Sequence, residues 1–210
     1  METRLRIGRA IEKTEEEVAP KIMEQIKKHA PQGGPPALAT DGKGAYREAM
    51  LETWGTVPEY SGQGRPPTLP KPGKDWQYLQ VIKKREGSKL VSVTVKVIYG
   101  DQKDVKNILG EHTAYVERTH LTSRQMNGRL VRKTLSFSKE VRLLRAASAL
   151  EDALYNFTRP LKTLRVEREN PSPSARWMQR SPAMAAGLTD HIWTARELLT
   201  TVLVPLHTNS

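Results

Sequence analysis

A segment rich in proline and glycine constrains the fold of this chain more than any other sequence feature. The segment, VPEYSGQGRPPTLPKPGK at 57–74, holds five Pro and three Gly. Proline fixes its own φ angle and has no amide proton to donate, which disfavours both a helix interior and a central strand. We therefore predict a long loop here, with regular structure on either side of it.

The residues before this loop alternate between strand and helix patterns. Apolar and basic side chains alternate over 4–11, which predicts a half-buried strand. Thr14 stands three residues before Glu17, a capping box that predicts a helix running to the PQGGPP loop. The buried stripe of this helix is predicted to hold Val18, Ile22 and Ile26. An apolar run at 37–40 and a helical pattern at 44–54 complete an order of elements that is typical of an α/β fold.

The residues after the loop predict a hairpin and then several helices. Aromatic and β-branched residues fill 76–84 and 89–99, and four residues join them, so we predict a β-hairpin inserted into the α/β fold. Helices are predicted over 101–109, 113–130, from 143 to Pro160, and over 189–199. The third of these helices carries its apolar residues on one face. These residues are Leu143, Ala147, Leu150, Leu154 and Phe157.

Composition excludes several classes of protein. The 210 residues include no Cys, which excludes disulfide scaffolds, zinc fingers, thiol catalysis and iron–sulfur clusters. The longest apolar run, 198–206, is shorter than the ~18 residues of a membrane span, and the N-terminus has no signal-peptide pattern. We expect a cytoplasmic protein that has no membrane partner.

Positive charge is concentrated in about one third of the chain. The formal net charge is +11, and residues 74–145 hold 16 Lys or Arg and 7 Asp or Glu, which gives +9. An excess of this size makes a polyanion such as nucleic acid a plausible partner. These side chains are either an ordinary solvated face or a set of phosphate contacts that helical spacing brings into one sector.

Two separated segments resemble one known family. The first is ALATDGKGAY from Ala37, and the second, about 75 residues later, is AYVERTHLTSRQMNGRLVRKTLSFSKEV. Together they resemble the catalytic half of InsB-type insertion-sequence transposases, which belong to the DDE group and have an RNase H-like fold. The second segment is the more specific, through its Val-Glu-Arg start, its Arg-Leu-x-Arg-Lys-Thr run and its closing Ser-Phe-Ser-Lys. The matching segments cover roughly 60 of the 210 residues.

The resemblance implies roles for individual residues. Asp41 is the implied second acid of the DDE triad and Glu117 the third, and together they would hold Mg²⁺ or Mn²⁺, with two ions in a complete site. Arg124, seven residues after Glu117, takes the position at which such transposases carry a Lys or Arg facing the DNA. The implied activity is metal-dependent DNA strand cleavage and transfer. Residues expected to contact DNA are Arg65, Arg118, Arg124, Arg129, Arg132, Lys133 and Lys139.

The residue chemistry agrees with these implied roles. In such a phosphoryl transfer two divalent metals activate the attacking hydroxyl and stabilise the leaving oxygen. Magnesium prefers carboxylate oxygens, so the reaction needs no His or Cys cluster. Asp41 follows a predicted strand, and ligands of open α/β sheets bind beyond the carboxyl ends of strands.

The chain departs from the family pattern at its start. The family carries its first catalytic Asp on a strand that precedes the one predicted over 4–11, and residues 1–3 contain no Asp. We therefore expect a domain without its first strands and, for this chain alone, little strand-transfer activity. A remnant, a misassigned start and a reading frame joined to an upstream frame by frameshifting are three open explanations.

The expected architecture is an RNase H-like mixed sheet flanked by helices, lacking its first strands, with an inserted hairpin and a C-terminal helical extension. Residues 1–56 and 101–166 are the expected two parts of the catalytic domain. Residues 57–100 are the Pro-rich loop and hairpin, and 167–210 are the extension. The expected partners are the transposon ends, the target DNA and further copies of the chain on DNA, in the cytoplasm with the nucleoid.

Less specific interpretations stay open for each feature. Asp41 alone, before a glycine, is more often part of a turn, and Glu117 alone is a surface acid. The Gly-Arg-Pro sequence around Arg65 resembles an AT-hook, and it is also an ordinary Pro-rich linker. Trp76 and Tyr78 either stack on bases or pack in the core. The alternative functions are a non-catalytic DNA-binding remnant or regulator and an RNase H-like nuclease unrelated to transposition.

Overall fold

The computed structural model describes residues 3–30, 33–110, 114–131, 133–169 and 176–201, and gives only the backbone of residues 15 and 114–117. Within these ranges the chain forms seven α-helices and two small open sheets, which makes the fold mixed α/β. The chain divides into two compact units. One is Gly8–Thr122, and the other combines Met1–Ile7 with Ser123–Ser210.

A three-stranded sheet forms the centre of the unit Gly8–Thr122. β1 (Leu38–Asp41) pairs in parallel with β2 (Tyr78–Glu86), and β2 pairs antiparallel with β3 (Lys89–Tyr99). Gly87, in the tight turn between β2 and β3, has a φ of 60°, a conformation that favours glycine. The predicted hairpin is therefore present. It is not an insertion, because its first strand is the central strand of the sheet.

Three helices pack on this sheet and bury two separate apolar clusters. α1 (Glu15–His29) and α2 (Gly44–Trp54) enclose the first cluster, around Met50 and Tyr78. α3 (Gln102–Leu109) contributes Val105 to the second cluster, with Leu79 and Val81 of β2. Adjacent residues of a strand point to opposite faces, which is why consecutive positions of β2 serve different clusters. These helices match the predicted ones, and the Pro-rich segment is a loop as predicted.

α1 begins where the sequence predicts, but its buried stripe lies one residue later. Thr14 Oγ1 accepts a hydrogen bond from the Glu17 amide at 3.3 Å, which caps the helix. The residues buried against α2 are Ala19 and Met23. The predicted stripe of Val18, Ile22 and Ile26 is only half-buried. Alanine allows a neighbouring helix to approach closely and methionine fills irregular gaps, features that a pattern of aliphatic residues does not record.

The second unit is organised around two helices. It includes the end of α4 (Ala114–Met126) from Ser123 on, and a 3-10 turn (Gly128–Leu130) follows. α4 is shorter than the predicted helix because Asn127 ends it: the Asn127 side chain is buried and accepts a hydrogen bond from the Arg129 amide at 3.2 Å. α5 (Val141–Thr158) ends just before Pro160, as predicted.

The strand predicted over 4–11 does not form. The Arg6 amide donates to Asn156 Oδ1 at 2.9 Å, and Asn156 Nδ2 donates to the Arg6 carbonyl at 2.8 Å. One asparagine side chain on α5 thus satisfies both backbone groups that a neighbouring strand would have bonded. The alternating pattern predicted a strand wrongly, because it assumed that the basic side chains are exposed. The Arg6 side chain is instead buried against α5.

α5 buries a polar face instead of the predicted apolar one. Its buried residues are Ser148, Glu151, Tyr155 and Asn156. The predicted apolar face lies further out, with Leu143 and Leu150 exposed and the other three half-buried. Arg6 explains the difference, since its guanidinium pairs with Glu151 Oε1 at 2.7 Å and lies over the Tyr155 ring at 3.8 Å.

The two helices that follow residue 181 pack against α5 and belong to the same unit. β4 (Val166–Glu167) pairs with β5 (Trp177–Met178), and α6 (Pro182–Ala185) and α7 (Ala195–Thr200) follow. The Trp193 ring lies 4.7 Å from the Phe157 ring, measured between centroids. We predicted a separate extension from residue 167, whereas the described residues after it share a compact unit with α5. The last helix begins later than predicted because Thr194 and Glu197 form a capping box.

Candidate active site

Asp41 lies exposed at the carboxyl end of β1, at a cleft of about 750 Å³ in the unit Gly8–Thr122. Apolar residues of α1 line one part of the cleft, and the turn 41–43 lines another. Asp41 Oδ1 accepts a hydrogen bond from the Lys43 amide at 3.4 Å, which helps to hold the turn. The interpretation of Asp41-Gly42 as a turn is therefore confirmed, and its interpretation as a site stays a prediction.

A chain of hydrogen bonds beneath Asp41 fixes the backbone on both sides of it. Thr40 Oγ1 donates to the Asp41 carbonyl at 2.9 Å, so the Tyr78 hydroxyl, 2.8 Å from Thr40 Oγ1, must donate to it. Gln80 Nε2 donates to the Tyr78 oxygen at 2.9 Å and to the Lys43 carbonyl at 3.1 Å. Burial raises the pKa of Tyr78, which keeps its hydroxyl protonated and able to donate.

Basic side chains surround the single described acid of the cleft. Lys83 and Arg85 line it from β2, Lys43 from the turn after β1, and His120 from α4. Asp41 pairs with Val81 in the parallel register, and side chains two residues apart on a strand share a face. Lys83 and Arg85 therefore continue the face of Asp41 beyond the end of β1.

The sequence prediction did not single out these cations as site residues. The signal was the alternation Val81, Lys83, Arg85, which places two charges on the same side of a strand. This alternation predicts that Lys83 and Arg85 lie near Asp41 only if β2 is already known to pair with β1.

Glu117, the second predicted acid, lies on α4, three residues before His120. Its side chain is outside the part of the chain that the structure describes. Among the described residues, no group of three or more His, Asp or Glu side chains is arranged to hold a metal ion. Asp41 is thus the one acid among the described residues that line the cleft.

The predicted DNA contacts are distributed over both units. Arg65 is exposed in the Pro-rich loop and Arg118 is exposed on α4, both in Gly8–Thr122. In the other unit Arg124 is half-buried, and Arg129, Lys133 and Lys139 are exposed. Arg132 lies outside the described residues. Trp76 and Tyr78 are buried in the core, so of their two interpretations the packing one is correct.

A second concave region is lined mainly by residues that precede α5 in sequence, in the same unit as α5. Arg129 and Lys139 line it together with Asn127, Ser136 and the acid Glu140. The Ser138 hydroxyl also lines it, and this oxygen is buried without a hydrogen-bond partner among the described residues. Two of the predicted DNA contacts therefore share one basic depression.

No protein-family model, curated protein or solved structure matches this chain. The described part of the chain contains no helix with the length and apolar character needed to cross a membrane.

Proposed function

We propose that the chain is the catalytic part of a DDE transposase with an RNase H-like core, which cuts and joins DNA in transposition of an insertion sequence. The observation that carries the proposal is the position of Asp41 at the end of a parallel strand, in a cleft otherwise rich in cations. Ligands of open α/β sheets bind beyond the carboxyl ends of strands, and phosphodiesters are anions that Lys and Arg attract. The two segments that resemble InsB-type transposases place their acids at Asp41 and Glu117.

The proposed donor set consists of carboxylate oxygens, the ligands that a divalent ion of the magnesium type prefers. Asp41 offers an exposed carboxylate, and Glu117 is the second oxygen donor in the proposal. Magnesium or manganese bound by these carboxylates would supply Lewis-acid stabilisation of the transferring phosphate. Lys43, Lys83 and Arg85 hold the DNA backbone in this proposal, and the hydrogen-bond chain through Tyr78 keeps Asp41 in place.

A second candidate function is DNA binding without catalysis, by a regulator or remnant of the same element. The charge of the described cleft favours it, because one carboxylate faces two lysines and an arginine. Such a balance attracts phosphate whether or not cleavage follows. The transposon ends, target DNA and further copies of the chain remain the proposed partners, and a location with the nucleoid follows from them.

Transposition of the complete element tests the catalytic proposal. Asp41→Asn keeps the size of the side chain and removes its charge, and Asp75→Asn is the matched control at an exposed turn of the same unit. We expect Asp41→Asn and Glu117→Gln to abolish transposition while the purified chain still binds duplex DNA, and Asp75→Asn to behave as wild type. Transposition at the wild-type frequency by Asp41→Asn would show that the proposed site is wrong. Binding to the element's ends without any dependence of transposition on either acid would favour the second candidate.

A further inference from the structure

An exposed tryptophan stacked with arginines lies in the unit that does not contain Asp41. The Arg165 guanidinium carbon lies 4.4 Å from the centroid of the Trp177 ring, and that of Arg176 lies 5.2 Å from it. Trp177 nevertheless keeps 39% of its surface exposed. A large aromatic side chain with this exposure, at the edge of two short strands, contributes little to a core.

The backbone beneath this cluster is firmly held. β4 and β5 pair through Val166 with Met178 and through Glu167 with Trp177. The Leu161 amide donates to the Arg180 carbonyl at 3.1 Å, and Arg180 Nε donates to the Leu164 carbonyl at 2.9 Å. Leu164 is buried. The backbone that carries Trp177 is therefore held by hydrogen bonds before a ligand binds, which reduces the conformational entropy lost on binding.

Charge on this surface is mostly positive. Described residues 161–169 and 176–180 include five basic side chains, Lys162, Arg165, Arg168, Arg176 and Arg180, and two acids, Glu167 and Glu169. Arg176 pairs with Glu167 at 2.8 Å, while Arg165 and Arg168 lie exposed. A guanidinium that stacks on an aromatic ring keeps its N–H groups free at the edge, in the geometry that matches a phosphate.

We propose that this surface, the Arg165–Trp177–Arg176 stack with Arg168, binds a short stretch of single-stranded DNA. An unpaired base stacks on the Trp177 ring in place of the Arg176 guanidinium, the more distant of the two arginines and the one that pairs with Glu167, and Arg165 and Arg168 contact the neighbouring phosphates. Duplex DNA fits less well, since its bases already stack on one another and expose only their edges. The choice of DNA rests on the proposed function. The stacking of an unpaired base rests on the geometry of this surface alone.

The experiment measures binding of the full chain to a labelled oligothymidylate of about 12 nucleotides, in the presence of a metal chelator. Trp177→Leu is expected to weaken binding about 10-fold or more, the usual loss when one stacking aromatic is removed. Trp177→Phe retains a ring and is expected to retain most of the affinity. Trp193→Phe is the matched control in the same unit, because that ring packs on Phe157. Arg165→Gln is expected to reduce the slope of log affinity against log salt by about 0.7, the value for one phosphate of a single strand.

Three results overturn the inference. Wild-type affinity of Trp177→Leu, with unchanged circular dichroism, shows that the ring contacts no base. An equal loss for a duplex of the same length shows that unpaired bases are not what is bound, and an equal loss for Trp177→Phe in a folded chain shows that the effect is not stacking. Failure here is distinguishable from failure of the catalytic proposal, because the chelator removes metal-dependent chemistry from this assay and Asp41 lies in the other unit.

Discussion

Replacement of Arg6 by methionine is expected to destabilise the unit that contains α5 by about 3–5 kcal/mol, the usual cost of removing one partner of a buried ion pair. The Arg6 guanidinium lies 2.7 Å from Glu151 and 3.0 Å from Asp152, and it covers the Tyr155 ring. Only 3% of the Glu151 side chain is exposed. Methionine replaces the packing of the arginine stem but removes the positive charge beside the Glu151 carboxylate, which also accepts a hydrogen bond from Asn127 Nδ2 at 3.5 Å.

Urea unfolding followed by hydrogen exchange of peptides from α5 measures this loss separately from the unit Gly8–Thr122. A double-mutant cycle with Glu151→Gln tests the physical reason. If the cost arises from the lost charge pairing between Arg6 and Glu151, adding Glu151→Gln to Arg6→Met restores about 1–3 kcal/mol, because the carboxylate charge that lost its partner is removed as well. Asp152→Asn is the control, since Asp152 is more exposed and is expected to cost about 1 kcal/mol. A loss below about 1 kcal/mol for Arg6→Met would refute the reasoning, because a buried pair was removed.

Four further substitutions, one of them a control, test other parts of the structure. Gly100→Ala places a Cβ 2.7 Å from a Val105 methyl and 2.8 Å from a backbone carbonyl at a φ of 96°, so it is expected to cost about 2–4 kcal/mol in thermal or urea unfolding. Gly110→Ala, at a φ of 75° with no atom of the described residues within 4 Å, is its control for strain alone, at about 1 kcal/mol. Tyr78→Phe is expected to cost only about 1 kcal/mol in urea unfolding, because both partners of the lost hydroxyl keep another hydrogen bond; a loss of 3 kcal/mol or more contradicts the assigned network. Hydrogen bonds to the carboxylates of Asp190 and Glu197 raise the pKa of His191 above 6.5. The stability that the charged imidazole contributes to the fold is therefore fully present below pH 6.5 and is lost as pH rises through the folded-state pKa. Hydrogen-exchange rates of residues 189–201 should show this pH dependence in the wild type and lack it in His191→Gln.

The elements that the sequence predicted correctly are those with local signals. Thr14 caps α1, the Pro-rich segment forms a loop, and two β-branched runs form a hairpin, each within about 20 residues of sequence. Caps, turns and prolines act on their own neighbourhood, so they can be recognised without knowing the fold. The apolar face of α5 was also predicted from a local pattern, and this prediction is wrong. Arg6, far away in sequence, pairs with Glu151 and thereby buries the polar face of the helix.

The errors share one cause, which is contact between residues far apart in sequence. Asn156 satisfies the backbone of Arg6, 150 residues away, and no pattern within 4–11 indicates such a partner. Lys83 and Arg85 reach the cleft because β2 pairs in parallel with β1, across a loop that carries no information about register. Asp41 was predicted from the resemblance of its segment to InsB-type transposases, and its role as a site residue stays a prediction.

The charges around Asp41 give a test that separates the two proposed functions. Within the cleft Asp41 is the described group that repels phosphate, whereas Lys43, Lys83 and Arg85 attract it. If DNA enters this cleft, Asp41→Asn should therefore bind duplex DNA more tightly by about 1 kcal/mol, the energy of two unit charges 4 Å apart in water, or roughly fivefold. A protein that only binds DNA gains affinity from this change, while for a transposase the same change raises DNA affinity and abolishes transposition of the complete element. Measurement of both quantities on the same variant distinguishes these outcomes, and an affinity that does not change at low salt shows that DNA binds elsewhere.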